Sequence, residues 1–310
     1  MLVQNNEKLN PWYITGLADS EGNFSINYNA KSEKVTASFK ITQNEDSLNV
    51  LYSLKEFFGC GHINIDNRLT KGFKFVISNK KDLLEKIIPH FEKYPLVGSK
   101  YLDYLDFKNS VLLMQNSNTA NLKLILSHKK CMNKARSFEE RWSYLKNKEF
   151  NLNPEWIQGF IDGEGTFQAN IINKKSGGIN VNFTLEIAQH SRDVFVLKAI
   201  IDYLGIGYLK PKYDLASLDE VQNARSVSRA VFNQHREIVK FIDKYPLFTR
   251  KQLDYTDWKE MVSLKESNKH KTEEGQSRII HLKLNMNRGR ILNSNLFSTD
   301  DKVDICNSED

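Results

Sequence analysis

Two glutamates occupy the same place in two similar short segments, and together they could bind a metal ion. Glu21 is the eighth residue of ITGLADSEG, and Glu164 is the eighth residue of IQGFIDGEG. The glycine that follows each one favours the end of a helix, where the helix dipole disfavours a lone carboxylate. Two carboxylates that meet there, with free carbonyl oxygens such as those of Ser20 and Gly163, would form an oxygen-rich site. Such a site suits a hard divalent cation, and the sequence therefore predicts Mg²⁺ as the cofactor.

Other segments of the chain are repeated as well. ITQNEDSLNVLYSLKEFFGCGHI matches IAQHSRDVFVLKAIIDYLGIGYL, EKYPLVGSKYLDYLDFK matches DKYPLFTRKQLDYTDWK, and CMNKAR matches NMNRGR. Four matched blocks in one order indicate a tandem duplication. We expect a first half at 10–137, a linker at 138–152 and a second half at 153–290. The segment 298–310 is acidic and has no hydrophobic periodicity, and 291–310 is expected to be a disordered tail.

The residue pattern of each half predicts the element order helix, hairpin, helix, hairpin, helix. The predicted fold is therefore an α+β duplication of an αββαββα unit. The first helix of each half carries small residues four positions apart, Gly16 with Ser20 and Gly159 with Gly163. Small residues at this spacing share one helix face and allow a close approach of two backbones. If the two helices pack through these faces, their glutamates converge at a pseudo-twofold axis. Such symmetry suits a partner that is itself nearly twofold, as a DNA duplex is.

The composition is that of a soluble globular protein. The chain has 310 residues, 26% of them charged, and a formal net charge of +6, which suits a polyanionic partner without proving one. No segment approaches the roughly 18 apolar residues of a membrane span, and the sequence shows no signal or transit peptide. The three cysteines lie far apart and predict no zinc site. Neither a P-loop nor a histidine-based nuclease motif is present.

The two motif segments resemble those of a single-chain LAGLIDADG homing endonuclease, and the resemblance covers nearly the whole chain. It implies two four-stranded antiparallel sheets that form a DNA-binding saddle, and Mg²⁺-dependent cleavage of both strands of a long site with short 3′ overhangs. It also implies that Glu21 and Glu164 bind the metal, although glutamate here replaces the aspartate of the family name. Asp19 and Asp162, at the sixth position of each motif, are weaker candidates and are expected to cap or pair. Ca²⁺ is expected to support DNA binding without cleavage.

The same resemblance implies further catalytic residues. Gln43 and Gln189 end the second strand of each half, where the family keeps a polar residue that orders the attacking water. Lys100 and Lys251 follow the repeated Tyr-Pro-Leu and resemble lysines that offset charge on the scissile phosphate. Lys210, after Gly-Ile-Gly, is a third basic candidate. For any one lysine alone, a solvated surface charge is the simpler interpretation, and the paired recurrence is what favours the first two.

Alternation along the predicted strands gives each half one polar face, because successive side chains point to opposite sides of a sheet. The faces combine amides, hydroxyls and scattered charges, a mixture that reads base edges and also holds phosphates. An ordinary hydrated sheet face is the alternative. The expected DNA-binding residues are Asn23, Ser25, Asn27, Asn29, Thr36, Ser38, Lys40, Thr42, Asn64, Asp66, Arg68, Lys74, Val76 and Ser78 in the first half, and Thr166, Gln168, Asn170, Asn180, Asn182, Thr184, Glu186, Tyr208, Lys210, Lys212, Arg225, Arg229 and Asn233 in the second.

The leading hypothesis is a monomeric, sequence-specific DNA endonuclease whose partner is its duplex target, with no membrane and no obligate protein partner. The alternatives are an RNA maturase and a non-cleaving DNA-binding protein on the same scaffold. Carboxylates at both motif ends favour cleavage, since a pure binder gains nothing from holding two anions near phosphates. The resemblance also implies an intron product of a mitochondrion or another organelle.

Overall fold

The computed structural model describes residues 8–69, 71–116, 118–175, 178–212, 214–223, 227–287 and 289–290. The first half contains helices α1 (Pro11–Glu21), α2 (Leu48–Phe58), α3 (Lys80–Asp82), α4 (Ile88–Lys93), α5 (Lys100–Leu113) and α6 (Thr119–Cys131), with strands β1 (Gly22–Asn29), β2 (Lys34–Asn44), β3 (His62–Asn67) and β4 (Gly72–Ile77). Helix α7 (Phe138–Lys146) leads to the second half. That half contains helices α8 (Pro154–Glu164), α9 (Val194–Leu204), α10 (Leu218–Asn223), α11 (His235–Lys244), α12 (Lys251–Glu266) and α13 (Glu273–Leu284), with strands β5 (Gly165–Asn173), β6 (Ile179–His190), β7 (Tyr208–Lys210) and β8 (Val227–Phe232).

Two four-stranded antiparallel sheets form the framework, one in each half. Their strand orders are β1-β2-β4-β3 and β5-β6-β8-β7, so the two halves have the same topology. Each sheet buries its apolar face against helices, and each half has its own aromatic core, with Phe24 and Phe39 in the first and Phe167 and Trp258 in the second. The predicted α+β duplication is therefore confirmed.

The motif helices α1 and α8 begin at matching caps. The side chain of Asn10 accepts a hydrogen bond from the N–H of Trp12 at 2.8 Å, and Asn153 accepts one from Glu155 at 2.9 Å. A proline follows each cap, where its missing N–H costs nothing. Both helices pass directly into a strand at a glycine, so each glutamate lies at a helix-to-strand junction.

Close contact between α1 and α8 joins the two halves. A side chain at Gly16 would overlap the carbonyl oxygen of Trp156, and one at Gly159 would overlap the carbonyl oxygen of Tyr13. Gly163 lies against the side chain of Ser20 in the same way. The predicted packing through small residues is confirmed, and it brings the C-terminal ends of both helices to one place.

Some features differ from the simple αββαββα pattern. The helix that follows β4 consists of α3 and α4 joined by a π-helical turn, Leu83–Ile87. Helices α6 and α13 follow the last predicted helix of each half. The segment expected to be a linker contains α7, whose Trp142 packs on Val194 of the second half. The proposed half boundaries and linker stay predictions.

No helix in the described part of the chain is long and apolar enough to cross a membrane. The expected disordered tail at 291–310 and the expected DNA-binding residue Arg225 lie outside the described residues.

Candidate active centre and DNA-binding face

The two glutamates meet at the end of the α1–α8 interface, where both are partly buried. Burial raises the pKa of Glu21, while the nearby Lys251 and Lys100 lower it. Burial, and after it the charge of Glu21, raises the pKa of Glu164 to about 7, against the same two lysines and a hydrogen bond from Gln189. The two carboxylates therefore repel one another in a poorly hydrated place, which is a position that a cation would stabilise.

Lys100 caps the end of the first motif helix. Its Nζ donates to the carbonyl oxygens of Ala18 at 2.8 Å and Ser20 at 3.2 Å. Burial lowers the pKa of this lysine, and the carboxylates of Asp19 and Glu21 oppose that change. A cation at a helix C-terminus interacts favourably with the helix dipole. Lys100 therefore offsets the unfavourable interaction between the same helix end and the carboxylate of Glu21.

Lys251 caps the second motif helix in the same way. Its Nζ donates to the carbonyl oxygen of Asp162 at 2.7 Å and also to that of Gly163. The carbonyl oxygens of Ser20 and Gly163, which the sequence suggested as metal ligands, thus accept hydrogen bonds from the two lysines. Because a carbonyl oxygen has two lone pairs, these bonds leave one acceptor position on each.

Asp19 holds the turn that leads to Lys100. Its carboxylate accepts hydrogen bonds from the backbone N–H groups of Val97 at 2.7 Å and Gly98 at 3.1 Å. It also accepts one from Trp156 Nε1 of the opposite motif helix at 2.9 Å. The expectation that this aspartate caps instead of binding a metal agrees with these contacts.

Asp162 repeats the arrangement in the second half. Its carboxylate accepts from the N–H groups of Phe248 at 2.6 Å and Thr249 at 3.2 Å, and from the hydroxyl of Tyr13 at 2.7 Å. Each buried aspartate therefore fixes its own lysine turn and receives an aromatic donor from the other half.

The two glutamines lie at equivalent places near the ends of β2 and β6. Gln189 Nε2 donates to Glu164 Oε1 at 2.8 Å. Gln43 Nε2 is buried and has no hydrogen-bond partner among the residues that the structure describes. A buried amide with a free donor is suited to hold a water molecule or a phosphate oxygen.

The repeated Met-Asn block has a structural role that the sequence did not reveal. Asn133 and Asn287 have φ angles of 56° and 53°, a left-handed conformation that asparagine tolerates better than most residues. Their side chains donate to the carbonyl oxygens of Phe24 and Phe167, both at 3.0 Å. The block thus ties the chain after the last helices to the first strand of each sheet, and its recurrence as CMNKAR and NMNRGR was the available signal.

The outward faces of the sheets follow the predicted parity. Cross-strand neighbours on these faces include Asn27 with Thr36, Thr42 with Lys74, Asn64 with Lys74, Gln168 with Thr184, Asn170 with Asn182, and Lys210 with Arg229. Several of the polar groups already have protein partners, as in Asn23 with Asn133, Ser25 with Ser38, Lys74 with Asp66, and Arg229 with Glu186. The expected residues that lie just beyond strand ends are Arg68, Ser78, Lys212 and Asn233.

Lys210 lies away from the lysine pair of the active centre. It is on β7, and it lines a cavity of about 480 Å³ on the outward face with Gln168, Thr184 and Glu186. It stays a prediction as a catalytic residue, and its position on the face fits a contact to DNA.

The donor set of the centre suits a hard divalent cation and little else. Two carboxylates and two carbonyl oxygens converge there, and the described residues contain no group of three or more His, Cys, Asp or Glu side chains that could hold a metal. Glu21 and Glu164 are therefore the residues that would hold a metal, and oxygen-only donors match Mg²⁺ or Ca²⁺ better than zinc.

Comparison with known proteins agrees with this geometry. The family model for the LAGLIDADG endonuclease matches residues 14–111 and 157–262. A Neurospora crassa protein named probable intron-encoded endonuclease 2 is 31% identical over 304 residues, which cover 89% of this chain and 64% of the relative. The chain thus spans less than two thirds of that relative's length.

Two solved structures match the fold over almost the whole chain. I-SmaMI bound to an uncleaved DNA target in the presence of calcium ions is 30% identical, with a TM-score of 0.77 over 90% of this chain and 99% of the other. The I-SmaMI LAGLIDADG homing endonuclease bound to cleaved DNA is 30% identical, with a TM-score of 0.78 over 92% and 99%. The chain belongs to the LAGLIDADG endonuclease family.

Proposed function

We propose that this protein is a sequence-specific DNA endonuclease that hydrolyses both strands of a long duplex site. The observation that carries the proposal is the convergence of Glu21 and Glu164, each beside a lysine that caps a motif helix. A protein that only bound nucleic acid would gain nothing from two repelling carboxylates in a partly buried place. The same feature weighs against an RNA maturase as the sole activity.

Mg²⁺ is the cofactor that we propose for this centre. When bound by Glu21 and Glu164, it would supply an activated water and stabilise negative charge on the phosphate. The support is the oxygen-only donor set and the raised pKa of Glu164, because a carboxylate pair that repels itself without metal gains most from a divalent cation. Ca²⁺ should support DNA binding without cleavage.

The protein's own groups supply position and charge. Lys100 and Lys251 are held at the motif ends by two carbonyl oxygens each, so both ammonium groups stand where a scissile phosphate would approach. Cations fixed before the reaction begins stabilise developing charge on the phosphate at no cost of reorganisation. Gln43, whose Nε2 has no partner among the residues described, would orient the attacking water, and Gln189 would act in the same way from the other half.

The outward sheet faces are the proposed DNA-binding surface. Two sheets of the same topology, joined through the α1–α8 interface, present amides, hydroxyls and cations on their outward faces, which suits a duplex that crosses both. The side chains already paired within the protein, such as Lys74 with Asp66, would exchange partners on binding. Each half would read its own part of a site, so the protein would act as a monomer.

The intron-encoded relative supports synthesis from an intron, and we propose an organelle, a mitochondrion in the first instance, as the place of action. The target sequence should lie near the site at which such an intron is inserted.

A cleavage selection tests the function. The wild-type protein is incubated with a randomised duplex library in Mg²⁺, in Ca²⁺ and in excess chelator, and the cut molecules are sequenced. We expect one consensus site cut on both strands in Mg²⁺ only, with binding retained in Ca²⁺. Efficient cutting in chelator would contradict the two-carboxylate centre. Splicing of a host intron without any DNA cleavage would favour the maturase alternative.

A further inference from the structure

The helix that begins with Lys100 is held at its start by the opposite half of the protein. Its preceding residue, Ser99, is buried, and the N–H of Ser99 donates to Asp193 Oδ1 at 2.9 Å. Asp193 lies in the short helical turn between β6 and α9, in the second half. The turn before Lys100 thus has two N–H groups fixed by Asp19 of its own half and a third fixed from across the interface.

The helix that begins with Lys251 has the reciprocal arrangement. The N–H of Arg250 donates to Ser47 Oγ at 3.1 Å, and Ser47 belongs to the turn between β2 and α2 in the first half. A second contact between the same segments joins the guanidinium of Arg250 to Asp46 at 3.4 Å. Asn49 of the first half also donates to the carbonyl oxygen of Phe248 at 2.8 Å.

Ser47 and Asp193 occupy the same position of the repeat, since they are the last residues of ITQNEDS and IAQHSRD. Each of these segments also contains the glutamine of its half, four residues earlier. One end of the segment therefore lies beside the glutamate of its own half, as Gln189 shows with Glu164 at 2.8 Å. The other end caps the lysine turn of the opposite half.

We propose that Asp193 and Ser47 are positioning residues, each of which fixes the active-centre lysine of the opposite half. The inference rests on the proposed endonuclease function. Through these contacts, the β-strand that carries the glutamine of one half also determines the position of the active-centre lysine of the other half, Lys100 or Lys251. Neither residue touches the reacting groups, and each holds the helix start through the hydrogen bond that it accepts.

The expected effect follows from the geometry of the turn. Losing the acceptor of the Ser99 or Arg250 N–H leaves that backbone group unpaired and lets the first helical turn shift. Since a displacement of about 1 Å at a catalytic group can cost roughly 100-fold in rate, a partly held lysine should cost about 10-fold. The loss of rate should affect the DNA strand whose scissile phosphate this lysine contacts.

The experiment uses the full chain and the duplex that the wild-type protein selects from the randomised library, labelled separately on each strand. Single-turnover nicking of each strand is measured in Mg²⁺, and DNA affinity is measured in Ca²⁺. Asp193→Ala should slow one strand about 10-fold, the same strand that Lys100→Met slows, with unchanged affinity. Ser47→Ala should instead slow the other strand, the one that Lys251→Met slows. Asp193→Asn, which keeps an acceptor oxygen, should restore the wild-type pattern.

A matched control distinguishes the loss of any helix-start contact from the loss of a contact that holds an active-centre lysine. Asn79 caps α3 in the first half by accepting from the N–H of Lys81 at 2.9 Å, away from the active centre, and Asn79→Ala should leave both strand rates unchanged. Equal slowing of both strands by Asp193→Ala and Ser47→Ala would overturn the proposal, because a contact that merely joins the halves has no strand preference. So would a defect in Asp193→Asn as large as that in Asp193→Ala. If the wild-type protein selects no cleaved duplex, the endonuclease function fails, whatever the caps do.

Discussion

The two halves hold their motif helices with the same aspartates and lysines, but the side-chain contacts around the glutamates and the lysine turns differ. In the second half Gln189 donates to Glu164, whereas in the first half the amide nitrogen of Gln43 has no partner in the described structure. The turns before the lysines differ as well. The carbonyl oxygen of Val97 accepts from Lys148 at 2.8 Å, a residue that follows α7, while the equivalent oxygen of Phe248 accepts from a side chain of the first half.

These differences show which contacts the duplication requires and which it leaves free. The buried aspartates, the capping lysines and the helix contact recur in both halves, because they fix the position of the glutamates. The hydrogen bonds to the glutamates themselves do not recur. We therefore expect two chemically unequal centres on one symmetric frame, and hence unequal rates of cutting for the two strands.

The largest expected effect comes from removing either carboxylate. Glu21→Gln and Glu164→Gln each delete one charge from the metal site with little change of shape, and a neutral amide holds Mg²⁺ poorly. Each should lower cleavage roughly 1,000-fold, about 4 kcal/mol of transition-state stabilisation. Cleavage of supercoiled plasmid measures the loss.

The melting temperature provides the control for that pair. Because the two carboxylates repel each other, either substitution should leave the folded state as stable as before, or slightly more stable, in chelator. Near wild-type double-strand cutting by either variant would contradict the metal assignment. A collapse of the melting temperature would mean that the glutamate holds the fold and does not serve the chemistry.

The next effect compares two contacts along the α1–α8 interface. Gly16→Ala would push a methyl group into the backbone of Trp156, which cannot move aside, and should cost about 3 kcal/mol of unfolding free energy. Gly163→Ala meets side chains of the opposite helix, chiefly that of Ser20 and, at 3.3 Å, that of Glu21. Its cost should therefore be recovered in the double variant Ser20→Gly/Gly163→Ala. Urea unfolding of the single and double variants measures both terms, and an unrecovered loss in the double variant would contradict the side-chain contact.

The part of this arrangement that the sequence predicted is the part that recurs. The repeat located the glutamates, the lysines, the glutamines and the small-residue helix face, and strand parity placed the polar faces. Contacts between the halves join residues that are far apart in the sequence, as Tyr13 and Asp162 are, with a separation of 149 residues. No local sequence pattern indicates which buried polar residues form such pairs. The additional helices α6 and α13 were missed because their apolar spacing is weak, with Ile125 the only buried side chain among the described residues of α6.

A pH effect should distinguish the second glutamate in the absence of metal. The pKa of Glu164 is raised from 4.5 to about 7, so the folded state holds this proton more tightly than the unfolded state. The resulting stability is fully present below pH 4.5 and is lost as the pH rises through 7, by at most about 3 kcal/mol. Urea unfolding in chelator at pH 5 and pH 8 should show a smaller loss in Glu164→Gln than in the wild type. An equal loss in both proteins would place the titration elsewhere, and added Mg²⁺ should reduce the wild-type loss.

The smallest expected effect separates the two glutamines. The buried amide nitrogen of Gln43 has no partner in the described part of the chain, which costs about 1 kcal/mol or more in the free protein. Gln43→Leu should therefore raise the free energy of unfolding by about 1 kcal/mol. Gln189→Leu removes a donor to Glu164 and should leave stability unchanged or slightly lower. If both amides orient water for the reaction, both variants should nevertheless cut more slowly, so that the first half would show a gain of stability together with a loss of rate. Full cutting by Gln43→Leu would mean that its free amide serves no step, and lower stability in that variant would mean that the amide has a partner in solution.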